Sequence, residues 1–189
     1  MALSAIALCS RALLKLGAIT IASFDEGTAE SEVAANLYPA VRDAVLSSYP
    51  WKFATGQITL PRLAAAPVAD FTTAYQLPAD FLRALSAGAG EQGAGLSYRL
   101  AENRLHCDAD QVTLTYIFRP DEASFPPFFD QVLIARLAAE FCIPLTESTT
   151  RAEFLYRLAE DEFRRAKLID AQQDVPSAIT DFPLVEVRR

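Results

Sequence analysis

Leu37-Tyr38-Pro39-Ala40-Val41-Arg42-Asp43-Ala44-Val45-Leu46-Ser47-Ser48-Tyr49-Pro50-Trp51-Lys52-Phe53-Ala54 is the stretch on which the reading of the fold turns. Up to Ser48 the apolar side chains recur at helical spacing. Pro50 then drives Tyr49 toward extended dihedrals and ends the helix at about residue 48. Beyond it, Trp51, the only tryptophan, and Phe53 lead into Ile58 and Leu60, an alternating run that reads as the start of β structure.

Upstream of this junction the pattern is helical. In residues 3 to 16, Ser4, Arg11 and Lys15 share one narrow stripe, and Leu3, Ile6, Leu13, Leu14 and Leu16 fill the rest of the circumference. Gly17 supplies a stop. A short linker carrying Ile19, Ile21 and Phe24 reaches Thr28, a good N-cap, and a second helix is expected over about 29–48. Its stripe is Val33, Leu37, Ala40, Val41 and Ala44. Pro39 falls inside it and predicts a bend, because the stripe continues in phase on both sides.

Downstream, residues 61–70 form a proline-bounded loop. Tyr75-Gln76-Leu77-Pro78-Ala79-Asp80-Phe81-Leu82-Arg83 reads as two strand segments set by a proline turn. The run 87–95 holds four glycines and reads as a hairpin tip, followed by strands at 96–101, 104–107 and 111–118. Helix returns at about 127–143, apolar nearly all round except for Arg136 and Glu140, with Pro144 as its stop. A longer amphipathic helix runs to about 171, with Ala152, Leu155, Tyr156, Ala159, Phe163 and Ala166 facing inward. The expected fold is α+β: one domain over 1–189, with a helical body from 1–50 and 125–172, a central antiparallel β portion from 51–124 and an extended arm from 173–189.

The arm has no helical period, yet it carries Ile179, Phe182, Leu184, Val185 and Val187. Ordering such a segment costs about 1 to 2 kcal/mol per residue in backbone entropy, so these side chains need a surface to cover. They are the candidate interface residues, expected to lie along a neighbouring subunit. Tyr49, Trp51 and Phe53 are the candidate structural anchors, expected to fasten the helical body to the β portion.

A chain of 189 residues can bury a core without staples. Its net charge of −7 argues against a phosphate-neutralising nucleic-acid surface, and an acidic wall lets DNA slide past. Cys9, Cys107 and Cys142 are far apart and sit among apolar residues, as reduced, buried thiols do. With His106 the only histidine, the sequence offers no metal-ligand cluster, and nothing in it calls for a cofactor. The apolar run at 2–16 is too short to span a bilayer and lacks the charge order of a leader, so it is assigned to the fold. The glycines at 87–95 lack the strand, loop and helix setting of a phosphate cradle. Asp108 and Asp110 read as a solvated turn. No nucleophile and base are paired by spacing. A small cytoplasmic hydrolase would have to use His106 and Cys107, and a DNA-binding regulator would have to use the first two helices against the acidic balance.

Four ordered landmarks add a resemblance. Leu13-Leu14-Lys15-Leu16-Gly17-Ala18, Leu37-Tyr38-Pro39-Ala40-Val41-Arg42, Tyr49-Pro50-Trp51-Lys52-Phe53-Ala54 and Tyr75-Gln76-Leu77-Pro78-Ala79-Asp80-Phe81-Leu82-Arg83 resemble, in that order, the phage tail tubular protein A family. These are head-to-tail connector, or adaptor, proteins of short-tailed phages and related prophages. The resemblance implies a structural virion protein made in the host bacterial cytoplasm and placed in the neck of the tail. It implies a homo-oligomeric ring, a dodecamer in the family, between the portal protein and the tail nozzle, with DNA passing through the lumen. It implies no catalytic residues, no cofactor and no membrane partner.

Overall fold

A computed structural model of the chain describes residues 3–173. Four helices and two three-stranded antiparallel sheets make up the described part, an α+β fold. The interface candidates Ile179, Phe182, Leu184, Val185 and Val187 lie outside the described residues.

Helix α1 (Ala5–Leu16) starts where the Ser4 hydroxyl accepts the Ala7 N–H and stops at Gly17, whose φ of 70° is left-handed. Its apolar face is narrower than the sequence suggests, since Leu14 is 61% exposed. Helix α2 (Ala29–Ser48) opens with a reciprocal cap between Thr28 and Ser31 and closes at extended Tyr49. It continues as one helix through Pro39. The carbonyl left without an amide partner belongs to Ala35, and both residues face solvent, so the lost bond costs little.

Strand β1 (Thr55–Thr59) follows only after a single 3₁₀ turn, Lys52–Ala54. Trp51 and Phe53 therefore do not begin a strand. The turn aims both rings at Phe129, so they belong to the helical core and not to the one sheet face that alternation implies.

The remaining strands are β2 (Thr73–Gln76), β3 (Phe81–Ala89), β4 (Arg99–Ala101), β5 (Arg104–Cys107) and β6 (Val112–Phe118). They form sheets in the orders β1-β6-β3 and β2-β5-β4. The proline turn at 77–80 thus separates two sheets; it does not join a paired hairpin. β2 is held instead by β5 and by the preceding loop, where Leu63 N–H bonds Ala74 O and Gln76 N–H bonds Pro61 O.

The glycine-rich run also departs from expectation. β3 extends through Ala89, and the turn after it folds back over the sheet, with Ser86 and Thr115 donating to Gly93 O and Thr113 to Gly90 O. Gly88 is required there: a Cβ would lie 2.0 Å from the carbonyl oxygen of Gln92. Regular pairing resumes only at Arg99, not at 96, because Leu96 N–H is bonded to Ala87 O instead of to a β5 partner.

Helix α3 (Pro127–Thr146) is buried nearly all round because it packs against α1, α2 and α4 (Thr149–Ala171). It runs past Pro144, which the sequence reads as its stop. A proline in the last turn removes one bond near the helix end, and the end is set by Glu147 at φ 54° bonding Ile143 O. One core lies among the helices, and a second lies between the sheets around Tyr75, Leu105, Leu114 and Tyr116. β6 serves both: Ile117 packs into the helical core, while Leu114 and Tyr116 face the other.

Tyr49 and Phe53 are half-buried and flank Trp51, which is fully buried. The indole meets Tyr49, Phe129 and Phe163 edge-on, with centroids 4.9, 5.3 and 5.6 Å away, and its Nε1–H donates to Val45 O at 3.1 Å. Three segments distant in sequence thus meet at one ring. Trp51→Ala should therefore cost about 3 to 5 kcal/mol of unfolding free energy. Chemical denaturation checks this, and an unchanged midpoint would refute the placement.

Candidate interaction groove and its polar frame

Helix α2 carries two apolar stripes, not one. Ala34, Tyr38, Val41 and Val45 are buried. Ala40 and Ala44, which the sequence groups with Val41, are exposed, and Leu37 is half-buried. This second stripe borders an open groove of about 470 Å³. Its floor is Val132, Arg136 and Glu140 of α3, and its far wall is Ala159, Glu160 and Phe163 of α4. The groove exists because α2 and α4 each pack on α3 but hardly on each other. The small side chains of Ala40 and Ala44 keep one wall low.

Polar groups on its floor are fixed. Arg136 pairs with Glu140 at 2.9 Å, one turn on, and its guanidinium lies 5.0 Å over the Tyr156 ring. At the end nearest Trp51, the Lys167 ammonium lies 4.9 Å from the centre of the Phe163 ring.

The groove is held open by two polar joints. The first fastens the end of α4 to the start of the β portion: both carboxylate oxygens of Asp170 accept the Lys52 backbone N–H, at 3.1 and 3.2 Å. Asp170 is fully buried. Burial pushes its carboxyl up from the ordinary range, partly offset by that hydrogen bond and the Lys52 charge.

The second joint fastens α2 to the connection between β6 and α3. The Tyr38 hydroxyl donates to Glu122 at 2.9 Å, and Arg42 reaches the same carboxylate at 3.0 Å. Asp43 accepts Arg42 and a two-pronged contact from Arg119, at 3.0 and 2.6 Å. Burial works against the charge on Asp43 and Glu122. Hydrogen bonds from Arg119 and Arg42 nevertheless hold Asp43 below its ordinary value, and the Glu122 backbone, Tyr38 and Arg42 do the same for Glu122.

The residues a hydrolase would need do not converge. His106 and Cys107 are neighbours in β5 and point to opposite faces; Cys107 is fully buried and the imidazole half-buried. Thr73 accounts for the polar contacts of Cys107, through its carbonyl and its sulfur. Asp108 and Asp110 take separate partners, Thr72 and Arg62. All three cysteines are free and buried, and burial pushes the Cys9 thiol up to about 12. No described helix is long and apolar enough to cross a membrane.

No known family model matches the chain, and no curated protein matches it.

Two sets of substitutions have opposite signs with pH. Asp43 and Glu122 titrate below their ordinary 3.8 and 4.5 when folded, so their stabilisation is complete above those values and is lost as pH falls below them. Asp43→Asn with Glu122→Gln should lower the melting temperature at pH 7 and flatten the acid limb of a stability-pH curve. Asp130, in the first turn of α3, is the reverse case. Its Oδ1 is buried with no hydrogen-bond partner among the described residues, and burial raises its titration, a rise that the Arg11 charge only partly offsets. Its contribution is favourable below 3.8 and is lost as pH rises. Asp130→Asn should add on the order of 1 kcal/mol at pH 7 and nothing at pH 3, measured by denaturant titration at both.

Proposed function

We propose that the chain is a structural virion protein: a ring-forming head-to-tail connector that joins a portal to the tail of a short-tailed phage or related prophage. The observation that carries this reading is the placement of the four landmarks. Each falls at a joint of the fold and none lies in an interchangeable surface loop. Leu13 to Ala18 holds the left-handed stop of α1. Leu37 to Arg42 supplies Tyr38 and Arg42 to the polar joint with Glu122. Tyr49 to Ala54 is the aromatic hub with its turn. Tyr75 to Arg83 carries the crossing from one sheet to the other.

Residues shared for the sake of a common architecture belong at such joints, since there a change moves whole elements and does not merely alter one contact. A ring subunit also needs rigid lateral faces. The groove and the exposed Leu14, Phe154, Leu168 and Ile169 give the helical body apolar surface available for neighbours. The net charge of −7 suits a lumen that DNA traverses without adhering. In this reading the work of the protein is assembly and alignment; its partners are copies of itself, a portal and a tail component, and it needs no cofactor.

The decisive experiment is native mass spectrometry of the purified chain over a range of concentrations, alone and mixed with portal rings from the same genome. Ring multiples approaching a dodecamer, at least with portal present, are expected. A particle that stays strictly monomeric in both conditions overturns the proposal.

A further inference from the structure

We propose that copies of the chain join by seating the outer edge of α4 from one copy in the α2/α3/α4 groove of the next. The inference rests on the reading of the chain as a self-assembling subunit and names the two surfaces that meet.

The first surface is the groove, whose α4 wall is Ala159, Glu160 and Phe163. The second lies on the same helix. Phe154, Leu158, Asp161, Arg165 and Leu168 alternate spacings of four and three residues, so they form one line along α4. Phe154 and Leu168 stand at its ends and are 66% and 67% exposed, further than any other large apolar side chain in the described helices. Such a line is the seam by which one helix packs on another, and no described element covers it. From Phe154 to Leu168 is about 21 Å along the axis, and the α2 wall from Leu37 to Ser48 is about 16 Å long, so the seam runs the length of the groove. Ala40, Ala44 and Ser48, one turn apart on that wall, let a second helix approach closely.

Charge selects the pairing. The groove lining carries Glu140 and Glu160 against one cation, Arg136. Around the α4 seam stand Arg151, Arg157, Arg164 and Arg165 against Asp161 and Glu162, so the two surfaces have opposite net sign. Most of these charges are already paired within the subunit: Arg136 with Glu140, Arg164 with Asp161 and Arg165 with Glu162. Arg157 beside the seam and Glu160 in the groove are both exposed, and neither has an ion-pair partner among the described residues. They lie one turn apart along α4, so two copies with their α4 helices side by side and nearly parallel bring Arg157 of one to Glu160 of the next.

At about 100° per residue the groove wall and the seam fall on opposite sides of α4. The contact is therefore heterologous: each copy gives a different face to each neighbour, and the chain of contacts propagates until a ring closes.

Charge reversal provides the test. Arg157→Glu and Glu160→Arg alter exposed side chains and should leave the melting temperature of the chain unchanged. Each variant alone opposes like charges at every contact. It should raise the concentration needed for assembly by about tenfold, read by native mass spectrometry with and without portal rings. An equimolar mixture of the two should assemble as the unaltered chain does, because alternating copies oppose unlike charges at every contact. Cross-linking provides the second arm, since Cys9, Cys107 and Cys142 are all buried. One population carrying Ala44→Cys and another carrying Asp161→Cys, treated with a short bis-maleimide, should yield linked pairs only when mixed. Assembly that survives either reversal, a mixture no better than its components, or the absence of a link between copies overturns the inference; rings that form all the same keep the connector reading. Linked copies that never engage a portal count against the connector reading and leave this contact standing.

Discussion

Burial of one indole organises this molecule. Trp51 has no solvent-accessible surface, and the segments that enclose it come from the end of α2, the start of α3 and the last third of α4. Its Nε1–H needs an acceptor in this apolar setting, and the Val45 carbonyl, in the final turn of α2, supplies one while also accepting the Ser48 hydroxyl. That bond satisfies the one polar group of a ring that would be costly to bury without it. The same corner holds the Asp170 carboxylate, which takes up the neighbouring Lys52 N–H. Because the polar requirements are met locally, the aromatic rings can pack without strain, and the start of β1 is fixed relative to three helices.

The groove follows from that arrangement. α3 is wide enough in apolar surface to hold α1, α2 and α4 at once, while the Trp51 corner and the Glu122 cluster set where α2 and α4 lie upon it. Two helices fixed independently on a common third helix do not close over it, and the alanines of α2 leave the gap unfilled. Connector assembly is the use proposed for the surface that this geometry leaves available.

Much of this was legible in the residues. Thr28 and Pro50 bound α2 correctly because capping and proline sterics are local. The all-round apolar character of α3 announced its central place. The split stripe of α2 was not legible: Val41 and Ala44 lie on one apolar arc, and only the position of α3 decides that the first is buried and the second borders a groove. Asp170 was missed because, by periodicity, an acid at the end of an amphipathic helix belongs to solvent, and its partner is 118 residues away in sequence. Strand identity was readable from alternation, but the division into two sheets was not, since pairing is a long-range property that a proline turn constrains only in direction. Of the candidate residues, the aromatic anchors were readable because Trp51, Tyr49 and Phe53 sit together in the chain.

Strand β6 has a mechanical meaning. It lies between β1 and β3, with ladders on both sides, and its side chains enter both cores. Just past its end, Arg119 grips Asp43 of α2. A force applied between the outer sheet and the helices is therefore carried in part along β6, beside the Arg83 contact of β3 with α2, and loads two ladders in shear, where many hydrogen bonds resist together, instead of peeling them one at a time. The strand is in effect the tendon of the subunit. A protein built this way would transmit strain between its two ends as a stiff body, with little give in the middle.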